Sequence, residues 1–542
     1  MKEEDYTTRQ ESTSFDEENK KVPSILTQVH STENSVTHGP KFIHWIYKLD
    51  ALGFESTGIE RVSPEERDRL AESRPTWHLF VETIGLWWAA CGGLTSMSSY
   101  FLPTLLFGLN MRDSMVSGLI SMIIGCVLAA YASTMGPKSG LRQLVTARFL
   151  FGEWGVKIIA LISIVGLLGW SIINCVLGGQ ILQAINHNIS LAVGIVVLSV
   201  VSWLVAIFGI RVLLKFQTIL SIPIFVATVL FYVVVCQKVK YVHESNELVK
   251  EAGYSAVTTR GNWLSYFAVC YSITSTWAGG AGDYYVMYPA STPSYKIFLV
   301  TFFGIAVPTV FVGVVGTICG NIALSYKPWN DAYNAYGVGG LIVETFSAWG
   351  GFGKFVVVIL YISLICNNIM NTYSSAFEFQ IIDPRLIYIP RWIWATIVAI
   401  IYFVLSIAGR DHFSEILTNF LPMLGYWISI YIALLLEENL FFRSNLERKM
   451  LHEKEFSGSY EELYNWANWN RPKGRTMGLA ACFSFLCGVA GAVVGMNQVY
   501  YRGPIADLVG EYGADLGMWL SFGFTAIAYP GLRYLELKAF QR

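Results

Sequence analysis

Twelve apolar stretches, each long enough to cross a bilayer as helix, constrain this chain more than any other feature. A hydrocarbon core about 30 Å thick takes about 20 apolar residues of α-helix, and every backbone polar group inside it must be paired within the protein. The stretches are Thr83–Gly108, Ser114–Thr134, Gly155–Ile185, Leu191–Gly209, Val212–Val235 and Trp263–Tyr288, then Ile297–Ala323, Phe355–Ile381, Trp392–Ala408, Ile416–Glu437, Met477–Val499 and Leu508–Pro530. Only 14% of the 542 residues are charged and the mean hydropathy is +0.46. A soluble domain carries about 25% charged residues, so the chain reads as an all-α polytopic membrane protein with 12 transmembrane helices.

Charge sets the expected orientation. With the amino terminus inside, the cytoplasmic loops, the tail segment Arg61–Arg74 and the carboxyl tail hold 23 Lys and Arg against 9 on the opposite side. Basic residues collect on the cytoplasmic side, so both termini are expected there, and a net charge of −1 offers nothing to nucleic acid. The expected division is 1–80 cytoplasmic tail, 81–235 first helical repeat, 236–262 extracellular loop and 263–437 second repeat. A cytoplasmic loop 438–475, two further helices in 476–532 and a cytoplasmic tail 533–542 complete it. The nine cysteines lie in or beside apolar stretches without metal-ligand spacing, and none of the eight histidines falls mid-span. Neither a metal nor any other cofactor is expected, and no nucleophile–base cluster marks an enzyme.

Two of the stretches are interrupted alike. The first contains Cys91-Gly92-Gly93-Leu94-Thr95-Ser96 and the sixth Trp277-Ala278-Gly279-Gly280-Ala281-Gly282-Asp283. Paired glycines weaken a helix, and irregular backbone survives at bilayer depth only where it is packed in protein or lines a cavity. Breaks at corresponding places in two halves point to an inverted repeat with its site between them. The fourth and ninth stretches likewise end in similar turns, Gly209-Ile210-Arg211 and Gly409-Arg410-Asp411. Five plus five helices in inverted topology, with two appended, is a LeuT-like arrangement. Close packing through small residues is the plainer explanation of either glycine pair alone.

A planar heterocycle needs aromatic faces for stacking and amides to read ring heteroatoms. The third stretch offers Trp170 and Asn174, four residues apart and so on one face. The eighth offers Asn367, Asn368 and Asn371, the sixth Trp277, and the first Thr95. An Asn in hydrocarbon needs a partner or a wet cavity, although it can also serve only to tie helices together. Asp283, beside the second break, is the candidate for carrying a coupling proton; it can equally cap the half-helix that follows. Glu378 lies near the cytosolic end of the eighth stretch.

These residues resemble the fungal purine-cytosine permeases of the nucleobase:cation symporter family. The resemblance lies in Gly108-Leu109-Asn110-Met111-Arg112-Asp113-Ser114, Met135-Gly136-Pro137-Lys138-Ser139-Gly140-Leu141-Arg142-Gln143, Gly169-Trp170-Ser171, Asp283-Tyr284-Tyr285, Asn367-Asn368-Ile369 and Arg533-Tyr534-Leu535-Glu536-Leu537. It implies a LeuT-like fold, a plasma-membrane location and proton-coupled uptake of a small-molecule solute. It also implies solute contacts from Trp170, Trp277, Asn367, Asn368 and a hydroxyl at or near Thr95. The chain departs from the usual pattern at Met370, Gln217, Ala90 and Gly92, where relatives carry Pro, Glu and Asn. Gly92-Gly93-Leu94-Thr95-Ser96-Met97-Ser98-Ser99 and Asn419-Phe420-Leu421-Pro422-Met423-Leu424-Gly425-Tyr426-Trp427 are instead similar to a divergent yeast branch that carries vitamin B6 (pyridoxine). Vitamin B6 is therefore the implied solute, with cytosine and purines as the alternative. A nutrient receptor that binds without transporting is the alternative of another class, with trafficking partners expected on the cytoplasmic tail.

Overall fold

The computed structural model of the protein describes residues 58–443, 464–471 and 475–540, apart from Arg74, Gly209, Pro384, Ile387, Tyr388 and Asn465. Most of the amino-terminal tail, most of the 438–475 loop and the last two residues lie outside the described residues, as does the Gly209 turn.

Helices occupy all twelve apolar stretches. They are α1 (Thr76–Cys91), α2 (Met111–Ser133), α3 (Arg148–Ile185), α4 (Leu191–Ala206), α5 (Ile210–Cys236) and α6 (Ala256–Ser275), then α7 (Ser294–Ser325), α8 (Gly350–Ile382), α9 (Arg391–Ala408), α10 (Leu421–Glu437), α11 (Leu479–Gly495) and α12 (Gly517–Phe540). Seven helical runs, those containing α2, α3, α5 and α7 to α10, are long and apolar enough to cross a membrane by themselves. The others fall short for physical reasons: α1 and α6 are interrupted, α4 and α11 are short, and α12 ends in Arg533, Glu536 and Lys538.

Local chemistry sets several boundaries. Asn110 caps α2, its side-chain oxygen accepting from the Asp113 N–H at 2.9 Å, which is the N-cap geometry. Gly152 has φ 65°, so the run entering α3 kinks there. The last helix begins nine residues later than its apolar pattern suggested. Gly510 and Gly513 take φ 71° and 77°, and Asp515 accepts from the Gly517 N–H at 3.0 Å. Residues 496–516 therefore turn back on themselves before α12 starts.

The helices form two groups. In one, α2 packs on α6 and α7 while α1 packs on α5 and α7; in the other, α3, α4, α8 and α9 pack together. Three of these contacts, α2 with α7, α3 with α8 and α4 with α9, join helices five apart in the chain, as an inverted repeat with a pseudo-twofold axis requires. The pair α11 and α12 packs against α10.

Both breaks are real and both are held by the protein. After α1 the chain is extended at Gly93 (φ −134°, ψ −160°) before a short helix, Leu94–Met97. The freed backbone groups find partners on two helices: Ser363 Oγ of α8 accepts from the Leu94 N–H at 2.9 Å, and Thr228 of α5 donates to the Gly92 carbonyl at 3.2 Å. A Cβ on Gly93 would sit 2.1 Å from Ser363 Oγ, so only glycine fits. After α6 the chain tightens into 3₁₀ turns, Thr276–Gly279 and Ala281–Tyr285, on either side of Gly280.

A segment preceding α1 is stitched onto the end of the bundle that holds the loop before α3. The Val62 N–H donates to the Gly140 carbonyl at 2.9 Å. Arg61 donates to the Ser139 carbonyl at 2.8 Å. Arg67 is fully buried and donates to the carbonyls of Pro137 and Tyr288.

Candidate solute site

Between the two breaks lies a partly open cavity, with about 350 Å³ of space free of atoms including the adjoining solvent, lined by Thr95, Ser96, Leu167, Trp170, Ile273, Thr276, Trp277, Asn367 and Asn371. Four elements supply these residues: the short helix after Gly93, α3, the end of α6 with its first 3₁₀ turn, and α8. The glycines Gly92, Gly93, Gly279 and Gly280 do not line the cavity themselves. They turn the chain so that Thr95 and Ser96 enter from one side and Thr276 and Trp277 from the other.

The aromatic residues are held by packing. Trp277 is only partly buried, and Trp87 meets it edge to face with ring centroids 5.2 Å apart. The Trp427 ring of α10 packs on Gly279, where a Cβ would lie 3.1 Å away. Trp170 is buried at the cavity wall, and its indole N–H has no protein partner.

A chain of hydrogen bonds orders the amides. Thr95 Oγ1 donates to Asn174 Oδ1 at 2.8 Å, and Asn174 Nδ2 donates to Asn367 Oδ1 at 2.9 Å. Asn371 Nδ2 donates to the same Asn367 oxygen at 3.1 Å, while Asn367 Nδ2 donates to the Ala90 carbonyl at 3.2 Å. Asn174 is fully buried behind the cavity and acts as the link between Thr95 and Asn367. Asn368 is also outside the lining; its amide faces Cys175, and its oxygen has no partner. Successive residues on a helix point about 100° apart, so Asn367 and Asn368 cannot both face the solute. Asn371, one turn below Asn367, takes the second place at the wall. Ser96 and Thr276 are further lining hydroxyls, and each is a sequence neighbour of an expected residue.

Asp283 lies outside the cavity lining, toward the loop before α3. Its carboxylate accepts from the Gln143 N–H at 2.6 Å, and its own carbonyl accepts from Arg142 Nη1 at 3.0 Å. Arg142 also donates to the Tyr373 hydroxyl of α8 at 2.9 Å, and Gln143 Nε2 to the Tyr431 hydroxyl of α10 at 2.9 Å. These contacts tie the loop before α3, the broken α6, α8 and α10 into one layer beneath the cavity. Arg142 and Gln143 carried a signal in the sequence, polar residues between two spans, but nothing there showed that they reach the second break. Glu378 is buried between α8 and α3, with Ser163 donating to Oε1 at 2.8 Å. No group of three or more His, Cys, Asp or Glu among the described residues is placed to hold a metal ion.

A family model described as a permease for cytosine/purines, uracil, thiamine and allantoin matches residues 70–510. The vitamin B6 transporter of Saccharomyces cerevisiae is 48% identical over 531 residues, covering 91% of this chain and 90% of its own. A purine-cytosine permease of Emericella nidulans is 30% identical, with 97% and 99% covered. Among solved structures, a nucleobase-cation-symport-1 family transporter in a closed conformation with bromovinylhydantoin bound superposes with a TM-score of 0.61 at 13% identity, covering 90% and 96%. A sodium-coupled sialic acid symporter in a substrate-bound outward-open state superposes at 0.56 and 13%, covering 84% and 90%. At such identities the two structures speak for the fold alone, and that fold is the LeuT-like one.

Proposed function

The chain belongs to the family of permeases for cytosine/purines, uracil, thiamine and allantoin, and from that premise we propose that it imports vitamin B6, pyridoxine and its close relatives, by proton symport. The protein is a multi-pass membrane transporter and not an enzyme. The observation that carries the choice of solute is 48% identity to a vitamin B6 transporter over 91% of the chain. The cavity supports it. Pyridoxine is a pyridine ring with hydroxyl substituents, and it asks for an aromatic face and for donors and acceptors around its edge.

In this reading Trp277 and Trp170 flank the ring. Asn371, Asn367, Thr95 and Thr276 meet its polar edge, and the free Trp170 N–H offers one more donor. Asn174 holds Thr95 and Asn367 in register, and Asn368 braces the back of α8. The glycines at 92, 93, 279 and 280 keep the two breaks open to the cavity. Uptake takes place at the plasma membrane, with the cytosolic side closed by the layer around Arg142 and Asp283. A buried acid can carry the symported proton. Asp283, the candidate from sequence, and Glu378 both lie between the cavity and the cytosol.

Cells expressing the protein should concentrate labelled pyridoxine, a protonophore should abolish the accumulation, and unlabelled pyridoxine should compete better than cytosine or adenine. Competition by cytosine or adenine with none by pyridoxine would assign the site to nucleobases instead.

A further inference from the structure

The cytosolic half of α8 holds a carboxyl group that no structural contact requires. Glu378 is 4% exposed, and Ser163 donates to its Oε1, but Oε2 has no hydrogen-bond partner. No ion pair reaches it among the described residues. The other buried acids differ. Glu438 is bridged to Arg533 and Arg443, Glu536 to Arg533, and Asp515 accepts from Tyr426 and from backbone N–H groups. Asp283 is engaged by the Gln143 N–H, with Arg142 beside it. The charged groups around Glu378 do not compensate it. The guanidinium groups of Arg142 and Arg391 stack on Phe377 and Tyr373, the former 4.1 Å above Phe377 and the latter 4.7 Å above Tyr373, on the adjoining face of the helix.

Position completes the case. Glu378 lies seven residues below Asn371, two helical turns or about 10 Å toward the cytosol. Residues at i and i+7 share one face of a helix. Ser163 is likewise seven residues from Trp170 along α3. The pair therefore sits under the solute cavity at the seam between α3 and α8. An ionised carboxyl in such a place, without a cation or a full set of donors, is strongly disfavoured, whereas a carboxylic acid fits it.

We propose that Glu378 carries the coupling proton. The inference rests on proton-coupled solute uptake as proposed above. A proton taken up from the outer side bonds to Oε2 in step with solute binding. It is released to water when the cytosolic path opens, leaving the carboxylate to be protonated again in the next cycle. Asp283, whose partners are fixed by the fold, holds the closure and does not shuttle the proton.

Glu378→Gln keeps the shape and removes the exchangeable proton. In cells or proteoliposomes it should lose accumulation of labelled pyridoxine above the outside concentration and lose sensitivity to a protonophore. Counterflow exchange of pyridoxine at equal concentrations should persist. Accumulation at the wild-type level, still abolished by the protonophore, would overturn the proposal. If the wild-type protein ignores pyridoxine, the solute assignment fails, and the same pair is compared with cytosine. Wild-type uptake of either solute that no protonophore affects would remove the basis for any coupling acid. Should Glu378→Gln not reach the membrane, Ser163→Ala decides. Losing a donor to the carboxylate should move the pH at which uptake falls by half upward, and an unmoved midpoint would again overturn the assignment.

Discussion

At the scale of single residues, Trp277 and Asn367 are the two side chains we propose to carry most of the recognition. Trp277 is partly buried, lines the cavity and lies within hydrogen-bonding reach of the Cys91 thiol, so truncation removes mainly its aromatic face. Base–aromatic stacking is worth about 1–3 kcal/mol by alanine substitution, which corresponds to roughly 5- to 150-fold in affinity. Trp277→Ala should weaken solute binding within that range at normal surface expression, as read by competition in uptake assays. Asn367 has less freedom. Its oxygen accepts from both Asn174 and Asn371, and its amide is spent on the Ala90 carbonyl. Of the four Asn considered, Asn367 and Asn371 line the cavity, Asn174 is bonded behind it, and Asn368 keeps an oxygen without a partner. Which outcome applies to a given Asn depends on neighbours from other helices. The spacing of Asn367 and Asn371 did hold the answer, since four residues apart on a helix means one shared face.

Elements meet at the glycine breaks, and there the fit is tight. A methyl on Gly93 would lie 2.1 Å from Ser363 Oγ and 2.2 Å from its Cβ, but 3.6 Å from its Cα. Gly93→Ala should therefore abolish transport, measured as initial uptake at matched expression. Adding Ser363→Gly should restore part of it, because the colliding atoms go while the Leu94 N–H still lacks its acceptor. The second break is anchored differently, through Asp283 to the loop before α3. Asp283→Asn turns an acceptor aimed at the Gln143 N–H into a group that can place an N–H there. Accumulation and counterflow exchange should then fall together, in contrast to Glu378→Gln. Loss of accumulation alone in Asp283→Asn would return the coupling role to that residue.

The whole molecule is two packed groups of helices with the solute cavity at their junction and a network of side chains beneath it. From the bias of Lys and Arg we expect the amino-terminal side to face the cytosol, together with the segment 58–67, which is bonded to the loop before α3 and the end of the broken α6. Epitope tags at either end of the chain should be reached by antibody only after the cells are permeabilised. A tag detected on intact cells would reverse the assignment of every loop.

Long apolar runs, with the glycine pairs inside two of them, were enough for the helical class, the twelve helical stretches and the place of both breaks. Lipid permits few backbone solutions, and a glycine pair among small polar residues is conspicuous there. The same reasoning stretched the twelfth helix back to Leu508, because an apolar loop folded against protein looks like a span when only its composition is read. Tertiary structure decided what no local pattern encodes: that Asn174 and Asn368 stand behind the cavity wall, that Asp283 is engaged by a loop 140 residues away in the chain, and that Glu378 has no ion-pair partner among the described residues. A side chain's partners inside a membrane bundle come from other helices, so their identity is fixed only when those helices are packed.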